Sequence, residues 1–259
     1  MVLPIHDDNS DRTIFPWLNI ALIVVNIVIF VFLQGMGQND DFTLAYSVVP
    51  AEIISGEDYQ TEDRVFEIAT SQGQMQVRQP GLKSTPIPVY LTLITAMFMH
   101  GSVAHLLGNM WFLWIFGDNL ENAMGRGRYL VFYLLTGLIG SLVHVAVSRL
   151  GESALIPSLG ASGAISGVMG GYVLLHPQRR VTVLLLRIVT EVPAYVAVGI
   201  WFLFQVVSGL GLLGSSEGGV AYGAHVGGFI AGLVLAKPFV FGREQSVDRS
   251  WHRTRSYRR

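Results

Sequence analysis

Long apolar stretches without a formally charged side chain recur along this sequence and limit the folds open to it. Crossing the hydrocarbon core of a bilayer takes about 20 apolar residues. Charged residues make up only 14% of the chain, compared with about 25% in soluble domains. The sequence therefore predicts an all-α polytopic membrane protein with six transmembrane helices, at residues 17–34, 103–116, 129–148, 159–176, 192–213 and 218–236.

A polar and acidic segment, residues 35–86, separates the first predicted helix from the second and is too long for a simple turn. Alternating apolar and polar residues at 64–68 and 74–78 predict two short strands within it. The stretch that follows, 87–117, is uncharged but longer than one span. We therefore expect its first part to be a partly inserted lead-in to the second helix.

The distribution of basic residues predicts the orientation in the membrane. With six spans both ends of the chain lie on one side, and thirteen of the 17 Lys and Arg residues fall on that side. Because cytoplasmic loops are enriched in Lys and Arg, we expect a cytoplasmic segment at 1–16 and a basic cytoplasmic tail at 241–259. The membrane domain would be 17–240, with the long loop 35–86 outside. The chain has no cysteine, which excludes disulfides and thiolate metal sites.

Polar side chains within the predicted spans indicate a candidate site, because such groups are costly in lipid. His105 and Asn109 lie near the start of the second helix, Ser162 near the start of the fourth and His225 near the start of the sixth. These helices run in the same direction, so the four residues fall at one depth, in the outer half of the bundle. A lone histidine in a span is more often a structural donor, but three helices that converge on one level favour a site.

Ser162 lies in the glycine-rich stretch Gly160-Ala161-Ser162-Gly163. Glycine has no Cβ, so other backbones can approach the serine hydroxyl closely. Taken alone, the stretch is better interpreted as a packing face that happens to include a serine, since the chain contains 29 glycines.

Glycines also recur every four residues in both the fourth and the sixth predicted helix, which places them along one face of each helix. Such faces let two helices pack with their backbones close together. We expect Gly163 and Gly167 to face Gly223 and Gly227. This packing would bring the ring of His225 within hydrogen-bond distance of the serine hydroxyl.

The polar residues suit nucleophilic catalysis. Serine is a weak nucleophile until a base takes its proton, and histidine can be that base near neutral pH. The predicted spans contain no Asp or Glu, so Ser162 and His225 would form a dyad rather than a triad. The side chains of Asn109 and His105 and the backbone N–H of Ser162 are candidate donors to an oxyanion.

At these residues the sequence resembles the rhomboid family of intramembrane serine proteases, of the bacterial six-helix kind. The resemblance covers about residues 15 to 240. Three motifs carry it, in the family's order and spacing: His100-x-x-x-x-His105-x-x-x-Asn109, Gly160-Ala161-Ser162-Gly163 and Gly223-Ala224-His225-x-x-Gly228.

The resemblance implies a role for each matching residue. Ser162 would be the nucleophile and His225 the base, while His105 and Asn109 would help to form the oxyanion site. His100 would have a supporting role in organising water. The other supporting positions are Gly160, Gly163 and Ser166.

Two positions depart from the family pattern. Better-known members carry a tyrosine four residues after the nucleophile, and its ring stacks on the catalytic histidine. Here that position is Ser166, which makes this serine a candidate hydrogen-bond partner of His225. The first loop, 35–86, takes the place of the family's first external loop but lacks its clear Trp-Arg pair.

The resemblance also implies partners and location. The protein would act without a cofactor or metal on transmembrane protein substrates, in contact with the lipid bilayer and without nucleic acid. We expect an integral, multi-pass protein of a bacterial inner (plasma) membrane with both termini cytoplasmic. The sequence leaves the oligomeric state open.

Two other classes of function compete with a protease. A rhomboid-like pseudoprotease would bind transmembrane clients without cutting them, but such relatives usually lose the serine or the histidine. A channel or transporter would use a His-lined polar pocket, and a zinc protein would use His100, His105 and His225. Inverted repeats would support transport, and the sequence shows no internal repeat. Zinc binding would leave Ser162 and Asn109 unexplained.

Overall fold

The computed structural model describes residues 2–70, 73–149, 152–185, 187–210 and 221–243, which are mostly helical. Each of the six predicted apolar stretches contains a helix. The predicted end of the fifth helix at 213, the predicted start of the sixth at 218 and the tail beyond residue 243 lie outside the described residues. The helices are α1 Trp17–Val28, α2 Asp40–Ala45, α3 Pro50–Ser55, α4 Thr92–Thr95, α5 Val103–Met124, α6 Arg126–Ser148, α7 Ser162–Leu175, α8 Ala194–Gly209 and α9 Tyr222–Val240.

Two of these helices, α6 and α9, are each long and apolar enough to cross a membrane. The segment Val89–Phe98, which contains α4, and helix α5 meet the same criterion together but are bent by 78° relative to one another. Three shorter apolar helices are α7, α8 and α1 with its π-helical extension Ile29–Leu33. Within the described residues, length and composition therefore support two or three candidate spans, and the full set of six stays a prediction.

Helix α5 is longer than the sequence predicts. The predicted helix end at residue 116 is wrong, because α5 continues to Met124 and carries two acidic side chains in its last turns. The buried carboxylate of Asp118 accepts a hydrogen bond from Arg12, and that of Glu121 accepts one from the backbone N–H of Asn19. These contacts compensate the charges, so the helix can include them.

The fold also contains strands, so the all-α class is wrong in this respect. The predicted strands in the first loop are confirmed as an antiparallel hairpin of β2 Arg64–Thr70 and β3 Gly73–Gln79. A second, three-stranded antiparallel sheet is absent from the prediction. It consists of β1 Val2–Asp7, β4 Arg180–Leu185 and β5 Ile188–Pro193, in the order β1-β4-β5.

The N-terminal strand β1 attaches to the end of the bundle opposite Ser162. Asp7 pairs with Val181 of β4, and its buried carboxylate accepts hydrogen bonds from Asn119 at 2.6 Å and Tyr172 at 2.8 Å. Arg179 donates a hydrogen bond to Oδ1 of the same Asn119 side chain. Burial raises the pKa of Asp7 to about 7. Strand β1 is therefore tied to α5 and α7 by side chains as well as by the sheet.

Helices α7 and α9 pack at backbone contact, but through different glycines from those predicted. A Cβ added at Gly228 would lie 2.0 Å from the carbonyl oxygen of Gly163. Gly227 instead packs against Val143 of α6, and Gly223 against His144 of α6. The predicted facing of Gly223 and Gly227 toward α7 is therefore wrong.

The face of α9 that meets α7 is formed by Ala224, Gly228 and Gly232, which lie four residues apart. The Cα of Gly167 faces Thr136 of α6, while its carbonyl oxygen faces Gly232. Helix α7 therefore lies between α6 and α9 and uses a glycine face toward each.

Two contacts hold the segment before α7 and the turn before α5 in place. The Gln34 amide donates to the carbonyl oxygen of His100 and accepts from its backbone N–H, each at 2.9 Å. Val48 and Ser158 exchange backbone hydrogen bonds of 3.0 and 2.8 Å. Gln34 at the end of the first helix and Val48 in the first loop thus fix the backbone on both sides of the candidate site.

Candidate active site

Ser162 is the first residue of α7, and the backbone before it has a special geometry. Gly160 has φ +131°, a conformation that side chains disfavour, and its N–H donates to the carbonyl oxygen of Ala96 at 2.8 Å. A Cβ on Gly160 would lie 3.0 Å from Nε2 of His105. Glycine at this position therefore allows the turn and leaves room for the His105 ring beside the serine.

The structure brings Ser162 and His225 together. The Oγ of Ser162 lies 2.8 Å from Nε2 of His225. The histidine sits in the first turn of α9, between Ala224 and the contact residue Gly228. Backbone contact between α7 and α9 thus sets the distance between hydroxyl and imidazole.

The other ring nitrogen of His225 has a partner that sequence analysis missed. Its Nδ1 lies 2.7 Å from Oε1 of Gln205 in α8. The side chain of Gln205 is buried, with 8% of its surface exposed. The sequence did contain a signal, since a glutamine within an apolar helix is as informative as a histidine.

Ser166 does not contact His225, so the predicted hydrogen bond between them is wrong. Its Oγ donates to the carbonyl oxygen of Ser162 at 2.6 Å, as serine hydroxyls within helices commonly do one turn back. The aromatic ring beside His225 belongs to Trp201 of α8, with ring centroids 6.1 Å apart and planes tilted by 38°. Helix α8 therefore supplies residues beside the His225 ring, a role that the sequence analysis assigned to Ser166 of α7.

His105 and Asn109 lie one turn apart on α5 and line the same cavity as Ser162 and His225. Nδ1 of His105 accepts a 3.4 Å hydrogen bond from the N–H of Gly101. In a neutral ring Nε2 then carries the proton. The Asn109 side chain is buried, and its Nδ2 has no hydrogen-bond partner among the described residues. Both side chains can therefore donate into the cavity.

The cavity at these residues has a volume of about 320 Å³. Its walls come from α5, α7, α8 and α9, together with Leu159 and Ala221. A larger cavity of about 390 Å³ lies between the β2–β3 hairpin and residues 155–157, and its lining contains no serine or histidine. The smaller cavity is therefore the one that can support nucleophilic chemistry.

His100 lies behind His105 and outside the lining of the cavity. Its ring is fully buried and meets the His105 ring edge-on, with centroids 5.1 Å apart. Neither of its ring nitrogens has a protein partner within the described part of the chain. Its supporting role in organising water stays a prediction.

The zinc alternative finds no geometric basis in the described part of the chain. No group of three His, Asp or Glu side chains converges there so as to hold a metal ion. His225 instead directs its two nitrogens at Ser162 and Gln205.

Comparison with known proteins finds several that are similar in sequence to this chain. The chain is 32% identical over 147 residues to the mitochondrial Rhomboid protein 1 of Saccharomyces cerevisiae, covering 56% of this chain and 40% of that protein. It is 32% identical over 146 residues to Rhomboid protease GluP of Bacillus subtilis, covering 56% and 25%. Identity to the mitochondrial presenilin-associated rhomboid-like protein of Homo sapiens is 27% over 175 residues, covering 63% and 42%.

The matched regions thus span less than half the length of these relatives. The Rhomboid domain model matches residues 88–241, a range that includes His105, Asn109, Ser162 and His225. Because this match covers more than half of the chain, the chain belongs to the rhomboid family, as the sequence motifs predict.

Proposed function

We propose that this protein is an intramembrane serine endopeptidase that uses Ser162 and His225 as a catalytic dyad. The observation that carries the proposal is the 2.8 Å contact between Ser162 Oγ and His225 Nε2 within a cavity enclosed by four helices. Membership of the rhomboid family supports it, and a relative from Bacillus subtilis bears the name protease.

The first chemical step would form an acyl-enzyme. His225 Nε2 accepts the Ser162 proton while Oγ bonds to the carbonyl carbon of the scissile peptide. The carbonyl π electrons move to the oxygen, and the resulting oxyanion accepts hydrogen bonds from Asn109, His105 and the Ser162 backbone N–H. The C–N bond then breaks, and the imidazolium returns its proton to the leaving nitrogen.

The second step would release the acyl product. A water molecule gives a proton to His225 Nε2, and its oxygen attacks the ester carbonyl carbon. When the intermediate collapses, the bond to Ser162 Oγ breaks and the serine recovers its proton from His225. The other product is a carboxylic acid, which keeps the second proton of the water and then loses it to solvent to give the carboxylate, so atoms and charges balance over the two steps.

The proposed membrane arrangement has six spans, with the site in the outer half and both termini in the cytoplasm of a bacterial cell. The domain limits would be 1–16, 17–240 and 241–259, with 35–86 outside. Two features support this orientation. Most Lys and Arg residues fall on the side assigned to the cytoplasm, and the sheet containing β1 lies at the opposite end of α7 from Ser162.

The proposed substrate is a transmembrane helix of another protein, with its amino end outside, cut near the outer membrane boundary. A helix hides its carbonyls in i to i−4 hydrogen bonds, so the substrate must unwind locally before Ser162 can attack. A Cβ added at Gly160 would lie 2.9 Å from the His105 ring and 3.6 Å from Ser162 Oγ, so the space beside the serine is narrow. This crowding favours a small residue before the scissile bond.

The deciding experiment is covalent labelling with a fluorophosphonate, followed by cleavage of a reporter span. The native protein should label and cleave, whereas Ser162→Ala and His225→Ala should each abolish cleavage while the fold is retained. The double variant should be no worse than either single one, because members of one catalytic unit act non-additively. A folded native protein that neither labels nor cleaves would instead favour a client-binding pseudoprotease.

A further inference from the structure

We propose that Gln205 is the positioning residue of this site, and that its amide oxygen fixes the tautomer and orientation of His225. The inference rests on the proposed function for its kinetic consequences. The site would then be a hydrogen-bonded series of three residues, Gln205, His225 and Ser162, without a carboxylate.

The geometry of the three side chains carries the inference. Oε1 of Gln205 lies 2.7 Å from Nδ1 of His225, and Nε2 of the same ring lies 2.8 Å from Ser162 Oγ. A neutral imidazole has one N–H donor and one acceptor nitrogen. A carbonyl oxygen can only accept, so the nitrogen that faces Gln205 holds the proton. The lone pair of the other nitrogen is then directed at the serine hydroxyl, as a general base requires.

Burial makes this hydrogen bond consequential. Gln205 is 8% exposed and lies between Trp201 and Phe202 on one side and the buried Ser208 on the other. Buried polar groups are rarely left without a hydrogen-bond partner. The hydrogen bond therefore satisfies Oε1 of Gln205 as well as the ring nitrogen of His225.

The other groups around His225 do not offer this interaction. The titratable neighbours are Ser162 on the Nε2 side, His105 and His144 as further imidazoles, and Tyr222, whose ring centroid lies 6.3 Å away. No Asp or Glu is among the hydrogen-bond partners that the structure gives the ring.

The position of Gln205 is set by packing between α8 and α9. The rings of Phe202 in α8 and Phe229 in α9 are stacked, with centroids 4.1 Å apart and planes at 18°. Phe202 precedes Gln205 by three residues, and Phe229 follows His225 by four, so each ring lies one turn from its polar partner. The stacked pair therefore fixes the distance between the two polar side chains.

Three variants test the role. Gln205→Met keeps the length of the side chain without the acceptor oxygen, and Gln205→Glu keeps an acceptor oxygen. Ser208→Ala is the matched control, since Ser208 is buried on the same helix one turn later, at 7% exposure, and does not line the cavity. The readouts are kcat and KM for a reporter span, the rate of fluorophosphonate labelling and the melting temperature.

We expect Gln205→Met to lower kcat by about ten- to a hundredfold, the loss typical when an orienting partner of a histidine is removed. Its KM and melting temperature should stay near the native values. Gln205→Glu should retain several times the kcat of Gln205→Met at pH 8, and Ser208→Ala should match the native protein. A native kcat in folded Gln205→Met, or a Gln205→Glu variant no better than it, would overturn the inference.

The tautomer itself gives a readout that does not depend on catalysis. In protein labelled with ¹⁵N-histidine, the His225 signals, assigned by comparison with His225→Ala, should show the proton on Nδ1 in the native protein. A proton on Nε2 would overturn the inference, even where Gln205→Met fails to fold. Absence of all labelling and cleavage in the native protein would refute the proposed function, while the ¹⁵N spectrum would still decide the role of Gln205.

Discussion

Gly228 of α9 lies directly against the carbonyl oxygen of Gly163 in α7, since a Cβ at position 228 would come within 2.0 Å of that oxygen. The next glycine on α9, Gly232, has the same 2.0 Å relation to the carbonyl oxygen of Gly167. Because His225 precedes Gly228 by three residues, both lie on the same face of α9. The closeness of the two helices is therefore a condition for the contact between imidazole and serine.

Replacing Gly228 by alanine should destabilise the fold and separate the dyad. Overpacking typically costs about 1–3 kcal/mol, which exceeds the gain of up to about 1 kcal/mol from the better helix propensity of alanine. We expect a lower melting temperature in detergent and slower fluorophosphonate labelling. The control is Gly199→Ala on α8, where no atom lies within 4 Å of the new methyl group. Equal melting and labelling of both variants would contradict backbone contact.

Asn109→Ala should slow catalysis with little effect on folding. Its buried Nδ2 is available to the cavity, and loss of one oxyanion donor usually lowers kcat by about 10²–10³-fold. His105→Ala should act similarly, and neither change should prevent labelling entirely. Leu107→Ala, an exposed position on the same helix, serves as the control. Full cleavage rates in both site variants would show that the oxyanion assignment is wrong.

Asp7 should make the stability of the fold depend on pH. Burial raises the pKa of its carboxyl from 3.8 to about 7, so the folded state binds a proton that the unfolded chain releases near pH 4. The free energy of unfolding therefore falls as the pH rises from about 4 to 7. Asp7→Asn has no carboxyl at this position, so its free energy of unfolding lacks this pH-dependent contribution.

The measurement for Asp7 is the melting temperature of Asp7→Asn relative to the native protein, at pH 4.5 and 7.5. The melting temperature of Asp7→Asn, relative to that of the native protein, should be higher at pH 7.5 than at pH 4.5. Asp40→Asn, at the exposed start of α2, should instead melt in parallel with the native protein. A difference for Asp7→Asn that does not change with pH would count against a raised pKa.

The substrate model predicts that local helix stability controls cleavage. A reporter span with a Gly-Pro pair below the cut should be cleaved faster than the same span without it, since these residues weaken helices. Changing the residue before the cut from Ala to Phe should slow cleavage, because the space beside Gly160 and Ser162 is narrow. Mass spectrometry of the fragments locates the cut. Equal rates for all three reporters, or a cut at the cytoplasmic end, would overturn the substrate model and its topology.

The sequence was sufficient to select His105, Asn109, Ser162 and His225, which the structure places around one cavity, because polar groups in apolar helices are rare and their depth follows from helix direction. Gln205 escaped the same reasoning because it lies late in α8, which runs opposite to α7 and α9. Helix α8 reaches the depth of Ser162 and His225 only near its C-terminal end, where Gln205 lies. A polar residue near the C-terminal end of a helix such as α8 therefore has to be counted together with those near the N-terminal ends of helices that run in the opposite direction, such as α7 and α9.

Other errors came from information that a single helix does not contain. Four-residue spacing shows that α9 has two small-residue faces, but only the assembled bundle shows that Gly228 meets α7 and Gly227 meets α6. The strand β1 was missed because its pairing with β4 joins residues far apart in sequence. The extra length of α5 depends on Arg12, which neutralises Asp118 from outside the helix.

The pairing of β1 with β4 imposes an order on biosynthesis. Strand β1 is synthesised before its partner around Val181, which follows about 170 residues later. At about 5–20 residues per second, this gap lasts on the order of ten to thirty seconds. During that time α1, α5, α6 and α7 are made while the hydrogen-bonding edge of β1 has no partner. The three-stranded sheet can thus close only after the hairpin of β4 and β5 has been synthesised, long after β1 itself.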